Sequence, residues 1–307
     1  MKDRIVGTEH ISGTPRPGPD IAGIALAAIA AVAFGTLAIS AKFAYRVDAP
    51  VLPLLAVRFG GATLLIAAFH FVTRKSLKVP QAVMWKLLFL GGVGYGLETF
   101  LFFAALERAP AGVVALIFYS FPLWTVLMGF ATKLEPFRWR LVGALVIGST
   151  GVAVVFSPES GSLAGPLFAL AAAVAVALYF LLMQVALRDV ESSPAAFWTS
   201  AGAALITGLI WLVVRDPLPS GAAVPALTLA LASAFAFIAL YAAITRIGSS
   251  RAAVAAMIEP IATLILASVL LDEVITTRVL IGAALVVSAL PLLALAGKRD
   301  VPAADAM

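Results

Sequence analysis

LERAPAGVVALIFYSFPLWTVLMGFATKLEPFRWR (residues 106–140) aligns without a gap to ITRIGSSRAAVAAMIEPIATLILASVLLDEVITTR (residues 244–278) at a fixed offset of 138. Under that offset Arg108 meets Arg246, Ala115 meets Ala253, Pro122 meets Pro260, Glu135 meets Glu273 and Arg140 meets Arg278. Apolar sequence produces one or two such matches by chance. Five, including two prolines inside apolar runs, point to an internal repeat.

Both copies lie in a chain made of long apolar runs. Ten of them stand at 21–45, 52–73, 84–106, 111–132, 139–156, 163–187, 195–214, 226–245, 252–271 and 276–296. A helix needs about 20 apolar residues to cross the hydrocarbon core. Spanning backbone must satisfy its own hydrogen bonds, and spanning strands would be about half as long and alternating, so the runs are expected to be helices. The sequence therefore predicts an all-α membrane protein of ten transmembrane helices, five per repeat. The first repeat covers 21–156 and the second 163–296; residues 1–20 and 297–307 read as polar cytoplasmic tails. An odd number of crossings per repeat turns the second upside down relative to the first. That is the inverted architecture of many secondary transporters, with the substrate site near the midplane between the halves.

Charge agrees with an even number of crossings. With the amino terminus inside, 15 Lys and Arg fall on the inner side and 5 on the outer, while Arg58 lies within a span. This inside bias predicts both termini on the cytoplasmic side.

Composition removes several function classes. Hydrophobic types make up 62% and charged types 12%, against about 45–50% and about 25% in soluble domains. The net charge of +5 sits in short connections between apolar runs, so it reads as membrane topology and not as a nucleic-acid surface. Cysteine is absent and only His10 and His70 occur, so neither a metal site nor a cofactor is expected. No cluster of carboxylates, histidines or nucleophile with base is visible, which argues against an intramembrane enzyme. Filter-like loops and rings of charge, the marks of a channel, are missing. ATP drive would need a Gly-x-x-x-x-Gly-Lys loop, also missing.

Several motifs resemble the drug/metabolite transporter superfamily in its ten-helix EamA-type branch. The first run carries AAVAFGTLAISAKF (30–43), similar to the family's aromatic-Gly-Thr followed by a lysine, here Phe34, Gly35, Thr36 and Lys42, with Phe where Trp is usual. The second carries Ala56-Val57-Arg58-Phe59. The stretch FFAALERAPAGVVALIFYSFPLWTVL (102–127) is close to the family pattern. In the second half come Glu259-Pro260 and then Asp272-Glu273, where the family has Gly-Glu. Its first-half counterpart, Lys133-Leu134-Glu135-Pro136, departs from the family's Gly-Glu-Arg. The resemblance implies export of small metabolites, amino acids or drugs across a bacterial inner membrane. Exporters of aromatic amino acids match best the apolar, aromatic lining expected here, with multidrug efflux and sugar permeation as the alternatives. Few deep basic residues disfavour phosphate-bearing substrates.

Three ionisable residues lie deep in runs: Arg58, Glu98 and Glu259. A charge there costs at least about 2.5–3.5 kcal/mol on the insertion scale, so each should face the bundle interior. At about 1.5 Å per residue, Arg58 and Glu98 sit at similar depth. They are expected to form an ion pair tying the second and third helices. Glu98 is also a candidate for proton coupling, and Glu259 for a substrate amine or a proton. Pro122 and Pro260 remove a helix hydrogen bond at repeat-related places; with Gly35 they are the expected gating positions. Aromatic candidates for substrate binding are Tyr95 and Phe102 on one face with Glu98, then Tyr119, Trp124, Tyr179, Phe237 and Tyr241. Flat rings stack on and desolvate a flat side chain. The glycines Gly92 and Gly96 should let helices approach closely. The partners expected are a small-molecule substrate and the lipid bilayer, no nucleic acid, with proton coupling and a homodimer left open.

Overall fold

The computed structural model describes residues 20–132, 139–155, 162–186, 192–247 and 258–296. Residues 1–19 and 297–307 of the predicted tails and the connection holding Glu135 lie outside the described residues, as do the side chains of Pro122 and Tyr241.

The described residues form helices, with no strand among them. In chain order they are α1 (Ile21–Tyr45), α2 (Val51–Thr73), α3 (Gln81–Arg108), α4 (Ala111–Ala131), α5 (Trp139–Val155), α6 (Ala164–Ala186), α7 (Ser192–Val214), α8 (Ala223–Ile247), α9 (Ile258–Leu271) and α10 (Thr277–Ala296). Six helical stretches are long and apolar enough to cross a membrane: α1 to α4, Ser193–Val214 of α7 and Ser220–Leu240 at the start of α8. The remaining apolar stretches are shorter within the described residues: Val146–Val155, Ala164–Tyr179, Ile258–Leu271 and Thr277–Ala289. Large side chains on the outside confirm the apolar exterior: Phe71, Val213 and Val274 are each more than four-fifths exposed. Such a surface suits hydrocarbon and would be costly in water.

The starts and stops follow from local chemistry. Asp20 caps α1, its Oδ1 accepting from Gly23 N at 3.0 Å. Proline precedes α2, the Gln81 start of α3 and α4, in each case with ψ near 140–150°. Its ring presets φ and leads an extended chain into the helix. After α1, α2, α7 and α9 the chain reverses through Asp48, Arg74, Arg215 and Asp272, all at φ of 54–59°. That left-handed turn lets the backbone N–H groups beyond the helix reach its last carbonyls.

Two helices are irregular inside. α3 contains a π-helical turn at Leu90–Tyr95 (LGGVGY). The glycines there let α3 press onto its neighbours: Gly91 lies against the Thr199 backbone of α7, and a Cβ on Gly94 would lie 2.9 Å from the Tyr179 ring of α6. α4 is interrupted at Tyr119-Ser120, between Ala111–Phe118 and Phe121–Ala131. Pro122 has no N–H for the Phe118 carbonyl, which places the break where the missing bond would be.

Packing follows a pattern. α1 packs on α8 and α9, as α6 packs on α3 and α4; α2 packs on α8, as α7 packs on α3. The pairs α2–α7, α4–α9 and α5–α10 join corresponding members. Replacing each helix by the one five places away leaves these principal pairings unchanged. Alanine and glycine dominate the contacts, so backbones come close and dispersion replaces the absent hydrophobic drive. The α5–α10 seam is one example: a Cβ on Gly151 would stand 2.8 Å from Val286 N and one on Gly282 2.9 Å from the Gly151 carbonyl oxygen. Polar links also cross between the two parts of the chain, among them one at the start of α4. The Glu273 carboxylate accepts from Ala111 N at 2.7 Å and Gly112 N at 3.2 Å, capping α4 from the turn after α9.

Candidate functional site

α2 carries Arg58 inward, where only 4% of the residue is exposed. Its Nε donates to Ser233 Oγ of α8 at 2.9 Å and its Nη2 to the Tyr95 hydroxyl of α3 at 3.3 Å. The guanidinium also lies 4.9 Å from the Phe59 ring centre and 5.3 Å from that of Phe103. Cation–π attraction and two hydrogen bonds thus hold the charge in place, with no direct counter-ion among the described residues.

Glu98 follows the π turn by three residues and is equally buried. Its Oε2 accepts from Thr99 Oγ1 at 3.0 Å. The expected Arg58–Glu98 contact is not made: among the described residues the ion pairs within 4.0 Å are Arg108–Glu107 and Arg246–Asp20. Ser233 and Tyr95 hold Arg58 back, so the two charges act on each other through space without touching. Glu259, at the start of α9, belongs to the same group. It lies within electrostatic range of Arg58, of Glu98 and of Tyr119 on α4. The result is one guanidinium and two carboxyls drawn from α2, α3 and α9 in a mostly apolar interior.

Aromatic rings border this group. Tyr95 is the hub, with centroids 5.5 Å from Phe59, 5.8 Å from Tyr179 and 6.2 Å from Phe237. Phe237 meets Phe34 of α1 edge-on at 5.5 Å. Around the α4 break Phe118 meets Phe102 at 4.9 Å and Tyr119 meets Phe121 at 5.9 Å. Edge-to-face and tilted pairs of this kind present mixed faces and edges to whatever lies between them.

Of the sequence candidates, Tyr95, Tyr179 and Phe237 meet ring to ring, while Glu98, Glu259 and Tyr119 lie within electrostatic range of the same group. Phe102 is linked only through Phe118 and Phe103. Trp124 turns back on its own helix, its Nε1 donating to Ser120 Oγ at 3.2 Å, and no described contact brings it to the group. Gly35 sits where α1 crosses α9: a Cβ there would lie 3.0 Å from Thr263 Oγ1 and 3.5 Å from the Glu259 carbonyl oxygen. Pro260 is buried in the first turn of α9. Lys42 has Glu273 and Arg46 as its charged neighbours. Sequence reasoning missed Ser233, Phe34, Phe59 and Phe118. Ser233 had a visible signal, since it precedes Phe237 and Tyr241 by one and two helical repeats of four on the same face.

The match to known proteins agrees with this geometry. The model of the EamA-like transporter family matches residues 21–157 and again residues 163–295. The chain belongs to the EamA-like transporter family. An uncharacterized transporter of Synechocystis sp. is 24% identical over 254 residues, covering 80% of this chain and 75% of that protein. Protein PecM of Dickeya dadantii is 32% identical over 78 residues, 25% of this chain and 26% of that protein. A solved crystal structure superposes with a TM-score of 0.62 at 21% identity, covering 89% of this chain and 95% of the other. The EamA family and the relatives' names point to a multi-pass membrane transporter and not to an enzyme.

Proposed function

We propose that this EamA-family chain is a secondary transporter that exports small, mostly neutral hydrophobic metabolites, aromatic and other amino acids foremost, by alternating access. The observation that carries this reading is the meeting of Arg58, Glu98 and Glu259 with the Tyr95–Tyr179–Phe237 rings, on helices drawn from both family-matched stretches. Two further observations support the mechanism. The family model matches twice along the chain, and the principal helix pairings survive exchange of helices five places apart. Two inverted five-helix repeats, 21–156 and 163–296, account for both. Similar halves can exchange conformations, so the state open to one face resembles the state open to the other. Pro122, Pro260 and Gly35 are the bending and crossing points for that exchange. The Lys and Arg distribution supports both termini being cytoplasmic, and the family resemblance supports a bacterial inner membrane. Glu98 and Glu259 are the groups through which protons would couple, and a homodimer is compatible with the exposed apolar faces.

The test is uptake of a panel of labelled amino acids into proteoliposomes, with and without a pH gradient. Saturable uptake of aromatic amino acids is expected. Rates equal to those of empty vesicles for every amino acid would move the assignment to drug or sugar substrates.

A further inference from the structure

Away from the charged group, α1, α8 and α9 leave an open-sided cavity of about 460 Å³ on the apolar exterior. Ile39 and Ser40 form its buried floor, and Val224 and Leu270, 72% and 46% exposed, stand at its sides. These residues lie at the end of the bundle where α1 stops, α8 starts and α9 stops. From Phe43 to Thr36 the groove follows α1 for about 10 Å, at about 1.5 Å per residue. That is within half of a hydrocarbon core about 30 Å thick, so the groove belongs to one leaflet. Its mean cross-section is then about 45 Å², little more than half that of a helix about 10 Å across. Among the described residues no ionisable side chain lines it, and its hydroxyls are committed. Thr228 Oγ1 donates to the Pro225 carbonyl at 2.7 Å and lies 3.2 Å from Ser40 Oγ, while Thr36 Oγ1 donates to the Ala33 carbonyl at 2.6 Å. The mouth differs. A Cβ on Gly221, which lines the groove, would lie 3.3 Å from Val47, and beside Val47 the Arg46 guanidinium lies 4.9 Å from the Phe43 ring centre. Arg46 forms no ion pair among the described residues, whereas Lys42, one turn deeper, has Glu273 as its acidic neighbour.

We propose that this groove holds one acyl chain of an anionic phospholipid whose phosphate binds Arg46. The chain lies along Ile39 between Val224 and Leu270, and the phosphate meets the guanidinium where α1 ends. A planar guanidinium matches phosphate oxygens with paired donors. Within hydrocarbon an acyl chain gains packing but no hydrophobic drive, so the headgroup contact decides which lipid stays. A polar solute would find no free partner on the walls, and a helix of a second copy is too wide to enter. At its deep end the groove reaches Thr36, next to Gly35, where α1 crosses α9. The bound lipid therefore props the α1–α9 crossing from the membrane side. The site is separate from the Arg58 group and does not depend on which substrate is carried.

The experiment uses the delipidated full chain in detergent. Phosphatidylglycerol and phosphatidylcholine with identical acyl chains are the probes, and native mass spectrometry counts the lipid retained. The wild type should hold one phosphatidylglycerol, preferred about fivefold over phosphatidylcholine, the factor expected of one basic residue near the surface. Arg46→Gln should abolish that preference. Thr228→Phe fills the groove and should remove retention of both lipids. Excess glycerol 3-phosphate should leave the bound lipid in place. On the wild type, phosphatidylglycerol with a photoactivatable acyl chain should label residues 36–43 and 221–228 above the rest of the exterior, and this mapping decides the matter if a variant does not fold. Equal retention of the two lipids by the wild type, or labelling spread evenly over the exterior, would overturn the proposal. Displacement by glycerol 3-phosphate would also overturn it, by assigning Arg46 to a free phosphate. So would a Thr228→Phe chain that keeps its lipid and loses a dimer, since the groove would then be a contact between copies.

Discussion

The α5–α10 seam and the Arg58–Glu98–Glu259 cluster use opposite means to hold helices together. At the seam Gly151 and Gly282 bring two backbones into contact, and among the described side chains no buried charge is involved. At the cluster the Arg58 side chain ties α2 to α8 and to α3 by directional bonds. Close backbone contact is rigid, because dispersion falls steeply with distance. A polar cluster tolerates rearrangement, since its bonds can pass to water or a ligand. The seam is the part built to stay and the cluster the part built to change.

This contrast breaks most visibly at the seam. Gly282→Val places its Cβ against the Gly151 carbonyl and the Val155 side chain. Backbone cannot yield cheaply, so the loss should reach the upper end of the roughly 1–3 kcal/mol typical of overpacking. Thermal unfolding in detergent, with the monodisperse fraction as a second readout, checks this; an unshifted midpoint would show that the seam is not close-packed.

The cluster should respond in transport before it responds in folding. Glu259→Gln keeps the shape but removes a charge. The expectation is a fall in uptake of about tenfold or more, with the melting temperature changed far less than by Gly282→Val. Next comes Ser233→Ala, which leaves Arg58 Nε buried without its acceptor. A buried donor so orphaned costs about 1–3 kcal/mol, and the freed guanidinium should raise KM more than it lowers kcat. An equal fall in stability and uptake would make Ser233 a packing residue only.

The smallest effect is expected at the Asp20–Arg246 pair, outside both regions. The Gly23 N–H, and after it the Arg246 guanidinium 3.2 Å away, hold the partly exposed Asp20 carboxyl below the usual carboxylate range. A carboxyl depressed in the folded state stabilises above its unfolded value of 3.8, and that contribution is lost as pH falls through the folded value. The wild-type melting temperature should thus gain a small acid-side dependence that Asp20→Asn abolishes, with added salt shrinking the difference at neutral pH. A melting curve for the variant that tracks the wild type between pH 2 and about 6 would remove this pair from the account.

How much of this was legible beforehand differs by residue. The helix starts at Pro50, Pro80 and Pro110 and the break before Pro122 follow from proline's missing N–H and fixed φ, which are local facts. The close approach of α3 and α7 was readable from the glycines at 91–96. The choice made by Arg58 was not. Its partner Ser233 is 175 residues away, and Glu98, on the neighbouring third run and at the same depth, looked the better match by charge. The π turn that sets the direction of Tyr95 and Glu98 was equally hidden, because a run of glycines permits such a turn without requiring it.

The sequence by itself determined that the chain is helical and apolar, where its helices begin and turn, and that residues 106–140 and 244–278 share one pattern. These are consequences of backbone hydrogen bonding in hydrocarbon and of the steric rules for proline and glycine, which act within a few residues. Only the tertiary structure decided which buried charges touch and which stay apart. That outcome depends on the relative depth and rotation of α2, α3, α8 and α9, which are set by many small packing contacts that no single stretch of the chain contains.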